Sequence, residues 1–139
     1  MPITTRTATH DHQYTPASAL NGFRLILKVD CSVDTDDPCK ILGFNNLRIK
    51  FHNPGPGWRL LSSTTNHSYN LRPMPDCVSR LGLKGFQDEL YVRGAVNAEW
   101  VTPGIPTPWG SIGSLTIDTA QIELHMIVRA DGSTQKSVT

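Results

Sequence analysis

The segment SLTIDTAQIELHMIVRADG, residues 114–132, constrains this chain more than any other stretch. Within it Ile122, Leu124, Met126 and Val128 alternate with Glu123, His125 and Arg129, the period of two that belongs to a strand with one buried face. FRLILKVDCSV, from Phe23 to Val33, repeats the pattern. There Phe23, Leu25, Leu27, Val29, Cys31 and Val33 alternate with Arg24, Lys28, Asp30 and Ser32, and Ile26 is the one apolar intruder. Strands of this kind need a second layer to cover their apolar faces.

The stretches between them add strands and two helix signals. LRIKF (47–51) alternates and stops at HNPGPGW, whose prolines and glycines force a turn before WRLLSSTT, so the two runs are expected to pair as a hairpin. ELYVRGAVNAEWV (89–101) is β-leaning, with Gly94 marking a bulge or a close approach of backbones. In DTDDPCKILGF, Asp36 or Asp37 suits an N-cap and Pro38 a first helical position, which predicts a short helix over Pro38–Phe44. MPDCVSRLGLKGF (74–86) has Pro75 and Asp76 as start signals and Gly82 and Gly85 as limits, enough for a helical turn or two. With about six strands and at most two short helices, the expected class is α+β, mainly an antiparallel β-sheet or flattened β-sandwich with one or two short helices.

At 139 residues the chain has the size of one domain. Residues 1–22 have little apolar periodicity and residues 131–139 are polar after an Asp-Gly turn signal. Both are expected to be flexible tails around a single β-rich body, 23–130. Lys+Arg number 13 against 12 Asp+Glu, a net charge of +1, which leaves no bulk attraction to nucleic acid or acidic lipid. A local basic patch remains: Arg48, Lys50 and Arg59 flank the expected hairpin, with Phe51 and Trp58 close by. Three cysteines, Cys31, Cys39 and Cys77, show no CxxC or finger spacing and point to a reduced, intracellular setting. Residues 1–20 lack a signal-peptide apolar core, and no run is long and apolar enough to span a membrane. Asn66-His67-Ser68 satisfies the glycosylation sequon and reads as a chance match.

Catalytic patterns are missing from the sequence: there is no G-x-S-x-G, H-E-x-x-H or phosphate-binding glycine loop. Asp34-Thr35-Asp36-Asp37 lacks the glycine and distal glutamate of a calcium loop. No enzyme, metal or cofactor is expected. The remaining distinctive feature is WVTPGIPTPWG (100–110). Trp100 shares the phase of Val96 and Ala98 and is expected in the core. Ile105, Pro106, Pro108 and Trp109 are expected to form a stiff apolar tip that meets another subunit or a membrane.

Three segments, FRLILKVDCSV, LYVRGAVNAEWVTPG and TAQIELHMIVRADGS, give the chain an order of elements that resembles the matrix proteins of rhabdoviruses and related negative-strand RNA viruses. The resemblance implies a mobile tail, a first strand leading into a helix, an antiparallel sheet and an exposed proline loop. It further implies a virion structural protein that forms homo-oligomers beneath the envelope. Such a protein binds the inner membrane leaflet peripherally, links it to the nucleocapsid, and resides in the virion, the host cytoplasm and the inner face of the host membrane. This chain departs from the family in having one basic residue, Arg6, in its first 22, and no P-P-x-Y or P-T/S-A-P motif. The alternative expectation is a small β-sandwich module that binds carbohydrate or a protein ligand, with Trp58, Trp100 or Trp109 stacking on a sugar ring.

Overall fold

The structure, a computed structural model, describes residues 3–16, 22–52, 57–78, 84–101, 105–108, 110–112 and 116–139. Nine strands run through them: β1 (Ile3–Tyr14), β2 (Phe23–Asp34), β3 (Asp37–His52), β4 (Trp58–Val78), β5 (Lys84–Val101), β6 (Ile105–Thr107), β7 (Gly110–Ile112), β8 (Thr116–Arg129) and β9 (Thr134–Val138). They form antiparallel sheets in the orders β1-β2-β3, β4-β5-β8-β9 and β6-β7.

The inward rows of the two larger sheets make one core. β2 supplies Phe23, Leu25, Leu27, Val29, Cys31 and Val33; β5 supplies Leu90, Val92, Val96 and Ala98; β8 supplies Ala120, Ile122, Leu124, Met126 and Val128. The alternation seen in the sequence is therefore the alternation of the two facing sheets. One end is closed by aromatic rings: Phe23 lies 4.9 Å from both Tyr14 and Phe51 and 5.0 Å from Trp58, centroid to centroid.

The fold class is all-β, and the expected α+β class is overturned: no helix occurs among the described residues. Residues Pro38–Phe44, expected to be helical, belong to β3. Asp34 Oδ1 accepts the Asp36 N–H at 3.0 Å and Asp37 Oδ1 accepts the Cys39 N–H at 3.4 Å, so these aspartates shape a tight hairpin turn instead of capping a helix. Beyond the turn Cys39 and Ile41 are buried while Lys40 and Leu42 are exposed, a period of two that overrides the start signal. The second helix expectation fails at its start, because Met74–Val78 continue β4; residues 79–83 lie outside the described residues.

The expected hairpin of 47–51 with 58–65 is also replaced. β3 pairs with β2 and β4 pairs with β5, so the chain changes sheet between them. Gly57 makes this entry to β4 feasible: at φ 116° it lies against the Trp100 indole, where a Cβ would meet Nε1 at 2.1 Å. Its carbonyl accepts the Val101 N–H at 2.9 Å.

The segments expected to be tails carry strands. β1 pairs with β2 from Ile3↔Asp34 to Tyr14↔Phe23. The β1 row in register with the β2 core residues is Thr4, Arg6, Ala8, His10, His12 and Tyr14, and of these only Ala8 and Tyr14 are apolar residues packed on the core. Cross-strand polar pairs hold the other row: Thr7 Oγ1 donates to Asp30 Oδ1 at 2.7 Å, and Arg24 grips the Asp11 carboxylate with two hydrogen bonds. At the other end the Asp131-Gly132 signal builds a hairpin, with Ser133 N–H donating to Asp131 Oδ1 at 2.8 Å and β9 paired along β8. Cys31 is free and buried, as its phase requires, whereas Cys39 is disulfide-bonded, which corrects the expectation of reduced cysteines throughout. Burial pushes the Cys31 thiol up to about 11, so it stays protonated and unreactive at neutral pH.

Two positions test the packing. A Cβ on Gly94 would lie 2.7 Å from Ile49 Cδ1 of β3 and 3.0 Å from Leu27 Cδ1 of β2, so side chains of the facing sheet close over a residue with no side chain of its own. Gly94→Ala is expected to lower stability by about 1–3 kcal/mol in urea titrations, since the overpacked methyl must displace two core side chains. His10 is 6% exposed, with no hydrogen-bond partner on Nδ1. Burial, helped by nearby Lys136, holds its pKa below the ordinary 6.5. The unfolded chain then binds the proton more readily than the native one. Stability from neutral His10 is complete above pH 6.5 and is lost as the pH falls through 6.5 toward the lower native value. Urea midpoints of the wild type are expected to fall more steeply between about pH 7.5 and about pH 5.5 than those of His10→Gln.

Candidate functional site

The outward face of the four-stranded sheet is where polar side chains gather. Strand register lays them in rows that cross all four strands. Asn66 lies opposite Arg93, Arg93 opposite His125, and His125 opposite Ser137; the neighbouring row runs Ser68, Tyr91, Ile127, Gln135. At the ~4.8 Å spacing of adjacent strands each row is ~14 Å long. Together with Thr139 these rows line a groove of about 690 Å³. Thr64, Ala95, Asn97, Gln121 and Glu123 continue it toward one end of the sheet, where Arg93 and Thr139 line both parts.

The charges in the groove neutralise one another. Arg93 is ion-paired with Glu123 across β5 and β8, and this contact holds the Glu123 carboxyl below the usual carboxylate range. His125 Nε2 lies 3.2 Å from the other Glu123 oxygen and 3.3 Å from Thr139 Oγ1. Beside the second row, Arg129 Nε donates to Glu89 Oε2 at 2.7 Å and its NH2 group donates to Gln135 Oε1 at 2.9 Å. Tyr91 Oη donates to Glu89 Oε1 at 3.4 Å and accepts from Asn70 Nδ2 at 3.3 Å. A chain of bonds thus orients Tyr91, Arg129 and Gln135 around a carboxylate that is almost wholly buried. What remains free to meet a ligand is a set of hydroxyl and amide groups around the Tyr91 and Ile127 side chains.

The sequence-derived site residues lie elsewhere. Arg48 and Lys50 are on the outward row of β3, where Arg48 bonds the Asn46 carbonyl at 2.7 Å and sits 3.8 Å from Asp30. Arg59 is on the outward row of β4 and is ion-paired with Glu99. Outward rows of opposite sheets face opposite ways, so these three cations do not form one patch. Ile105 and Pro106 belong to β6, which pairs with β7, and Pro108 is exposed in the turn between them; regular pairing does occur in the proline loop. Trp109 lies outside the described residues. Trp58 is buried and Trp100 is packed against the core, so neither offers a face for stacking on a sugar. Sequence reasoning passed over Tyr91, Arg93, Gln135 and Ser137. Their signal is the polar phase of an alternating strand, but which phases become neighbours depends on register.

Comparison of the chain with known protein families, curated proteins and solved structures found no match.

The buried ion pair gives a direct test of the groove's construction. Arg129→Met leaves the Glu89 carboxylate buried without its cation and is expected to cost about 3–5 kcal/mol in chemical denaturation. Adding Glu89→Met to that variant is expected to recover most of the loss, because no uncompensated charge then remains.

Proposed function

We propose that this protein is a β-sandwich binding module whose groove takes a neutral, hydroxyl-rich ligand, of which an oligosaccharide is the natural class. One observation carries the reading: an open groove of about 690 Å³ crosses four strands, and its arginine, Arg93, is already paired with Glu123. The volume lies in the range of small-molecule sites. A charged ligand would have to compete with the Arg93–Glu123 contact, whereas a neutral polyol needs only the hydroxyls and amide of Asn66, Ser68 and Ser137. Tyr91 and Ile127 supply apolar surface for the faces of sugar rings. The disulfide at Cys39 supports work in an oxidising compartment, where oligosaccharides are abundant. The matrix-type resemblance implied a helix after the first strand, and that stretch is strand β3, so the groove is the better-supported basis for function.

Titration calorimetry against a panel of neutral and acidic oligosaccharides tests the proposal. Saturable binding is expected for neutral members, and Tyr91→Ala is expected to weaken it about tenfold, equivalent to about 1.4 kcal/mol. A chain that binds no neutral oligosaccharide, or binds one equally well without Tyr91, would not be this kind of module.

A further inference from the structure

We propose that the open edge of the sandwich between β1 and β9 binds a small organic carboxylate, its charged head held by Arg6 and Lys136 and its short apolar tail lodged between the sheets. On one side the sheets close over one another, where β3 packs against β4 and β5. On the other side β1 and β9 are the last strands of their sheets, and a cavity of about 200 Å³ is lined by both. Register explains why its two lips are charged. Arg6 stands opposite Cys31 of β2 and Lys136 opposite Met126 of β8, so each cation shares the face of a buried residue and belongs to an inward row. Arg6 reaches across to the other sheet: a Cβ on Gly132, in the turn between β8 and β9, would lie 2.8 Å from its Nη1. From the opposite lip, Lys136 comes near enough to His10 of β1 to add to the effect of burial in lowering the His10 pKa.

The charges of this cavity are unbalanced. No Asp or Glu is among the described residues that line it. Carboxylates nearby in the chain are engaged elsewhere: Asp30 accepts from Thr7 and Asn46, Asp131 from the Ser133 N–H, and Glu89 from Arg129. Arg129, the third cation of the lining, is committed to Glu89 and Gln135. Among the described residues Arg6 and Lys136 have neither a hydrogen bond nor an ion pair through their side chains. Two like charges facing one another across a cavity repel, and an anion between them replaces that repulsion with two attractions. A carboxylate suits the place because its two oxygens match the guanidinium fork. Beyond the cations the walls turn apolar, with Ala8 and Val33 from one sheet and Val128 from the other. An inorganic anion would leave those walls without contact, and a neutral apolar molecule would leave both cations unpaired. The volume falls below the ~300–1,000 Å³ of ordinary small-molecule sites, so the tail is short. Thr134 and Lys136 of β9 line this cavity while Gln135 and Ser137 line the outer groove, so the site stands whether or not the groove binds a sugar.

The test uses the full chain, with sodium butyrate as the probe. In NMR titrations at constant ionic strength, saturable shifts of the amide resonances of Ala8, Val33 and Val128 are expected. From acetate to butyrate each added methylene is expected to tighten binding, by up to about fourfold where it is fully withdrawn from water. Arg6→Gln and Lys136→Gln are each expected to weaken butyrate binding about tenfold. Arg6→Lys, which keeps the charge and loses the fork, is expected to lose less. Both side chains are exposed, so the melting temperatures of the ligand-free variants are expected to stay near the wild-type value. Four outcomes would overturn the proposal: butyrate that does not saturate the chain, inorganic phosphate or n-butanol that binds as tightly, shifts that gather at Arg48 and Lys50 instead, or an affinity that neither glutamine substitution lowers.

Discussion

Everything in this protein rests on how closely two antiparallel sheets can be pressed together. The contact is close where Gly94 of β5 meets Ile49 and Leu27, and the missing side chain lets branched residues from β2 and β3 fill the space directly above the opposing backbone. From that point the inward rows of β2, β5 and β8 run in both directions as a single apolar layer. Every other property follows from which rows face that layer and which face away. The rows facing away on the four-stranded sheet become the groove, because their backbone is held rigid by the core beneath them.

Much of this architecture was legible in the chain. The phases of Phe23–Val33 and Ile122–Val128 named the core residues correctly, and Gly94, expected as a bulge or a close approach of backbones, is a place where the Ile49 and Leu27 side chains close over the β5 backbone. The errors have physical causes. Pro38 and its preceding aspartates resemble a helix start because the same side chains that cap helices also close Asx turns, and only the pairing available from β2 decides between them. β1 escaped notice because an edge strand can be held by main-chain pairing and polar cross-strand bonds. The row of Thr4, Arg6, Ala8, His10, His12 and Tyr14 carries almost no apolar signal. The groove was the least legible part. Arg93 and Ser137 are separated by two strand pairings, and a shift of one residue in either would have pointed one of them into the core.

The division of labour between faces is sharp. Inside, the sandwich is apolar apart from a few placed groups, among them the buried His10. Outside, charges appear as cross-strand pairs: Arg24 with Asp11, Arg59 with Glu99, Arg93 with Glu123 and Arg129 with Glu89. A surface organised this way has little long-range field, in keeping with a net charge of +1. Recognition then depends on local hydrogen-bonding groups and not on steering.

The polar inner row of β1 has a consequence for motion. When a strand contributes two apolar side chains to a core, peeling it away exposes little apolar surface, so the opening costs far less than unfolding the sandwich. β1 thus belongs to a separate cooperative unit from β2, β5 and β8. Its amides should exchange with solvent through local detachment while theirs await global unfolding. Each detachment would briefly uncover the edge of β2, the most apolar strand in the protein.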